Sequence, residues 1–93
     1  MDNREPTPEV IGAALKRAQK YVTEGEKNLI EALALCTMSA QCDGYAGFRV
    51  FRDVRAAVAS VLPAKVSLAN FSDTADTKKV IEALESAYLV VMS

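Results

Sequence analysis

Between Pro8 and Pro63 the chain has no proline, and its apolar residues recur at alternating spacings of four and three. That pairing confines the chain to helices. Proline would interrupt the backbone hydrogen-bond ladder, and a 3–4 spacing puts the apolar side chains on one side of an α-helix. The stripe runs Ile11, Leu15, Ala18, Val22, Gly25, Leu29, Ala32 and Cys36. Lys16, Arg17, Lys20, Glu24, Lys27 and Glu31 lie between, balanced in sign as on a solvated face. Thr7-Pro8-Glu9 supplies the start, with Thr7 as N-cap, Pro8 at the first helical position and Glu9 in the first turn. The pattern therefore predicts one long helix over about 8–40, preceded by a flexible tail over 1–6.

The two halves of this predicted helix differ. Residues 10–27 carry a single narrow stripe, whereas Leu29, Ile30, Ala32, Leu33, Ala34, Leu35, Cys36 and Met38 surround the axis. A helix that is apolar all round is buried on several sides. This places the second half at the centre of the fold and leaves the first half with one edge to offer.

Asp43-Gly44 and Gly47 break the pattern. A second helix is predicted over about 45–62, with Val50, Phe51, Val54, Ala57, Val58, Val61 and Leu62 on one arc and Pro63 ending it. After a connector over 63–71, in which Val66 and Leu68 alternate as in a short extended piece, Ser72-Asp73-Thr74 offers N-caps for a third helix over about 73–92. Its core face reads Val80, Ile81, Leu84, Ala87, Tyr88, Val91 and Met92, with Leu89 and Val90 on the other side. The fold class is all-α, a single domain over 7–93.

Geometry then asks for a partner. A straight helix of about 33 residues is roughly 50 Å long, and a domain of this size is only about 32 Å across. The long helix must bend near Gly25 or project. If it projects, its stripe of Ile11, Leu15, Ala18, Val22, Gly25 and Leu29, together with Leu89 and Val90, is the expected protein interface. A second copy is the simplest cover, giving a dimeric helical bundle. Ala18, Gly25 and Ala32, seven apart, would let a facing backbone come close.

Composition narrows the function. The 93 residues hold no histidine, which removes Ser/His and Cys/His nucleophile pairs and the usual near-neutral base. Cys36 and Cys42 are too few for a zinc site and are expected as free thiols. No phosphate loop, dinucleotide fingerprint or paired-carboxylate cleft is legible, so no enzymatic activity and no cofactor is expected. Eleven basic and twelve acidic residues leave a net charge of −1, against a phosphate-backbone or anionic-lipid binder. Arg49, Arg52 and Arg55 are the alternative, a nucleic-acid contact doubled by dimerisation, with Asp53 among them arguing for a solvated face. No apolar run is long enough to span a membrane or serve as a secretory signal, so cytoplasmic residence is expected. The reading is a small non-enzymatic adaptor, regulatory or inhibitory in the manner of an anti-activator. It binds itself and an unidentified protein partner through a helix face, with a structural subunit of a larger assembly as the other alternative.

Overall fold

The computed structural model describes residues 5–25, 28–41 and 47–93, and among these every regular element is helical. The helices are α1 (Pro8–Gly25), α2 (Leu29–Gln41), α3 (Gly47–Val61), α4 (Leu68–Thr74) and α5 (Thr77–Met92). They pack into a body of 36 × 27 × 20 Å with a radius of gyration of 12.2 Å.

The single long helix is not formed. Gly25 is the last residue of α1, and Asn28 caps a new helix: its Oδ1 accepts the Glu31 amide at 2.8 Å and its carbonyl accepts the Ala32 amide at 3.0 Å. The physical reason lies in both residues. Glycine in a helix interior is disfavoured by about 1 kcal/mol relative to alanine, and Asn28 satisfies an amide that would otherwise lack an intrahelical partner. Ending at Gly25 lets α2 fold back on α1, so the apolar residues of both cover one another.

The start of α1 follows the sequence. Thr7 Oγ1 accepts the Val10 amide at 3.3 Å and the Thr7 carbonyl accepts the Ile11 amide at 3.0 Å. The tail expected over 1–6 is not free at its end, because Glu5 is paired with two arginines of α3; residues 1–4 lie outside the described residues.

The region after Pro63 also departs from expectation. The connector holds α4, capped by Ser67, whose Oγ accepts the Asn70 amide at 3.1 Å. The cap of α5 is Asp76, which accepts the Lys79 amide at 2.9 Å, and not Ser72, Asp73 or Thr74. Those three residues lie inside α4. The buried Ser72 turns its hydroxyl to the α2 terminus, where Oγ accepts the Ile30 amide at 3.4 Å.

The central helix is α1, which packs most extensively on α5 and α2 and also meets α3. Its stripe of Ile11, Leu15, Ala18 and Val22 is at most 5% exposed within this one chain. The core is completed by Leu29, Ala32, Leu33 and Cys36 of α2, the valines 50, 54 and 58 of α3, and Val80, Leu84 and Ala87 of α5. Gly12 of α1 faces the end of α5. A Cβ there would lie 2.8 Å from Met92 Sδ and 3.2 Å from Tyr88 Cε2. Lys16 Nζ stands 4.4 Å from the centroid of the same tyrosine ring.

Helix α2 lies at an edge, contrary to the central place its composition suggests. Ile30, Ala34 and Met38, four apart, form an exposed line, while Leu29, Ala32, Leu33 and Cys36 face inward. Being apolar all round here means one buried face and one apolar face left at the surface.

Candidate functional site

The surface left by this packing is organised by α3. Its valines at 50, 54 and 58 point into the core, so the spacing of 3.6 residues per turn sends Arg52, Arg55, Ala56 and Ala59 outward as one line. Ile30 from the start of α2 and Leu68 and Ala69 from α4 stand beside them. Together with Phe51 these residues line a groove of about 490 Å³. The floor is apolar, with Ile30 40% exposed and Ala56, Ala59 and Ala69 open to solvent. Among the described residues the two arginines are the groove's only charged lining groups.

The arginines differ in their partners. Arg52 Nη2 donates to Glu5 Oε2 at 3.0 Å and its Nε to Asp53 Oδ1 at 3.1 Å. Arg49, one turn earlier, donates from Nη1 to Glu5 Oε1. The Glu5 carboxylate thus bridges two guanidinium groups on successive turns, giving one oxygen to each. Asp53 first, then Glu5, raises the already high pKa of Arg52 by favouring its charged form. Arg49 Nε is buried and has no hydrogen-bond acceptor among the described residues. Arg55 lies with its Cζ 5.8 Å from the Phe51 ring centroid and has no carboxylate partner among the described residues.

The expected interface residues fall into two groups. Ile11, Leu15, Ala18, Val22 and Leu29 are interior to the single chain and present no surface to a second one. Only a continuous helix projecting beyond the body would leave them uncovered. Once the chain turns after Gly25, the 16 residues of α5 cover the 18 of α1. Gly25, Leu89 and Val90 are exposed, the last two at 61% and 56%. The arginines 49, 52 and 55 are gathered on α3 as the spacing implied, with Glu5 an unforeseen fourth member.

The groove itself was missed. Its signal was present in the line Arg52-Arg55-Ala56-Ala59, whose alanines on the polar side of α3 leave room that longer side chains would fill. Its other wall, α4, was hidden in what reads as a connector.

Cys36 is a free, buried thiol whose Sγ donates to the Leu33 carbonyl at 3.1 Å. Burial pushes its pKa up to about 11, opposed by the neighbouring Thr37 hydrogen bond. It is held as the thiol, not as a nucleophilic thiolate. Cys42, and with it the expected absence of a disulfide, lies outside the described residues. Among the described residues no group of three Cys, Asp or Glu side chains is placed to hold a metal ion, and no helix is long and apolar enough to cross a membrane.

No protein-family model matches the chain, and no curated protein or solved structure matches it.

Proposed function

We propose that this chain is a non-enzymatic protein–protein interaction module that seats a helix of a partner protein in the groove between α2, α3 and α4. One observation carries the reading. The core is closed within the chain, yet Ile30, Ala56, Ala59 and Ala69 stay exposed beside Leu68 and Phe51, which are half-buried against that core. In our reading this apolar surface, with Arg52 and Arg55 at its edge, is where another molecule binds. The small alanines let a facing helix backbone come near, and Ile30, Phe51 and Leu68 give it apolar side chains to pack on. Such a module acts by occupancy: it covers a helix its partner uses elsewhere, as an inhibitory or anti-activator-like adaptor does.

A second copy is not needed to cover α1, so the homodimer loses the argument that called for it. The nucleic-acid alternative is weakened by the apolar floor beside Arg52 and Arg55 and by Glu5 and Asp53, two carboxylates set among the arginines.

The test places a photo-crosslinking residue at Ala59 in one protein and at the exposed Lys78 of α5 in another, in native lysate. Specific adducts from position 59 that vanish with a second change, Ala56→Glu, are expected. Equal labelling from both positions, or adducts indifferent to Ala56→Glu, would reject the groove.

A further inference from the structure

The groove's chemistry narrows what enters it. We propose that its occupant is an acidic amphipathic helix, and that Glu5 is a resident carboxylate which that helix displaces from Arg49 and Arg52. This rests on the groove being the docking surface proposed above.

Among the described residues Arg52 and Arg55 are the only charges lining an otherwise apolar groove, so a complementary occupant presents apolar residues to the floor and carboxylates to this edge. Arg55 has no carboxylate partner among the described residues and is free to take one. Arg49 and Arg52 share one, Glu5, more than forty residues away in sequence, while Asp53 stays on the Arg52 Nε.

The way it is held suits exchange. Arginine binds carboxylate best as a fork, with two parallel N–H donors on the two oxygens. Glu5 divides its oxygens between two arginines and gives neither a fork, and Arg49 Nε is left without an acceptor. Glu5 is itself 61% exposed, before the first residue of α1, so releasing it disturbs no helix. An acidic helix with carboxylates one turn apart could give Arg52 and Arg55 one each while its apolar face covers Ile30 and Leu68. Glu5 therefore acts as a built-in competitor, and the affinity of the open groove is reduced by the fraction of molecules in which the bridge is closed.

The probe is a fluorescein-labelled synthetic helix of 18 residues with leucine on one face and glutamate on the other, titrated with the full chain by anisotropy. The glutamate peptide should bind, and its lysine counterpart should not. Glu5→Gln should tighten binding about threefold, the scale on which an exposed ion pair competes. Arg55→Gln should weaken it by a similar factor, and Ala59→Glu should abolish it. Circular dichroism checks that each variant keeps its helices, and the ¹⁵Nε signals of Arg49 and Arg52 should move on Glu5→Gln alone and on peptide binding.

Equal binding to wild type and Glu5→Gln would overturn the competitor while leaving the groove in place. Equal binding of the lysine peptide would overturn the acidic class. If neither peptide binds but crosslinking at Ala59 stays specific, the acidic occupant is refuted and the groove stands. Preference for duplex DNA over the acidic peptide, enhanced by Glu5→Gln, would assign the arginines to phosphate and also refute the proposal.

Discussion

Gly12 and Met92 meet so closely that a single added carbon on the glycine would lie 2.8 Å from the methionine sulfur. They stand at opposite ends of the chain, one near the start of α1 and the other at the end of α5. The missing side chain at position 12 lets the last turn of α5 settle on the first turns of α1.

Two substitutions at Gly12 should separate in sign. Alanine brings up to about 1 kcal/mol of helix propensity and meets the far end of a flexible, 44% exposed methionine that can move aside. Gly12→Ala should leave urea stability within about 1 kcal/mol of wild type. Gly12→Leu must displace the Tyr88 ring as well, and should destabilise by about 1–3 kcal/mol. Equal stability for both would mean that the two helix ends do not touch.

Asn28 tests the turn between α1 and α2. Removing the cap with Asn28→Ala should cost about 1 kcal/mol in denaturant melts, whereas Asn28→Asp keeps an acceptor and should be close to neutral. Were the helix continuous through this point, alanine would stabilise it by several tenths of a kcal/mol instead. The sign of the change decides between the two shapes.

Ala18 separates an interior stripe from an interfacial one. It is fully buried in the single chain, so Ala18→Leu overpacks the core and should lower stability by about 1–3 kcal/mol. The loss should not depend on protein concentration. A melting temperature that shifts with concentration in wild type but not in the variant would return this position to an interface between copies.

Cys36 gives a pH signature. Its thiol has an ordinary value of 9.0 when unfolded and about 11 in the fold. The unfolded chain therefore loses this proton first as pH rises. The stability the buried thiol contributes is complete below pH 9, falls through the window from 9 to 11 and is gone above it. Because other groups also titrate there, the measurement is the difference between wild type and Cys36→Ala. Wild-type stability should fall relative to the variant by about 2 kcal/mol across the window. At pH 8 the native thiol should react with a disulfide reagent far more slowly than in urea.

The helical class, the Thr7 cap and the inward faces of α3 and α5 were legible because they depend on local spacing alone. Val50, Val54 and Val58, and Val80, Leu84 and Ala87, are buried as their periodicity requires. A bend near Gly25 was one of two shapes left open by the helix length, and the break itself was not predicted, although Asn28 followed three residues later by Glu31 is a helix-start signature. The unbroken stripe across Gly25 hid it: two helices folded on one core can carry the same 3–4 phase as one straight helix. Asp76 was expected in or near the first turn and is the cap itself, and Ser67 was not singled out, because other Ser, Thr and Asp residues nearby cap equally well on paper and packing chose among them. The Glu5 bridge was beyond any local pattern, since nothing in an exposed glutamate before the first helix indicates which cations it will meet.

The hydrogen bond from the Ile30 amide to Ser72 has a consequence for timescale. It ties the start of α2 to a seven-residue helix too short to persist on its own, and both carry walls of the groove. Detaching α4 would strip that amide of its acceptor and open the groove together, as one cooperative event. Protection of the Ile30 amide against solvent deuterium then measures how long the groove keeps its shape, and an occupant that grips Leu68 and Ala69 should lengthen that lifetime without touching the amide itself.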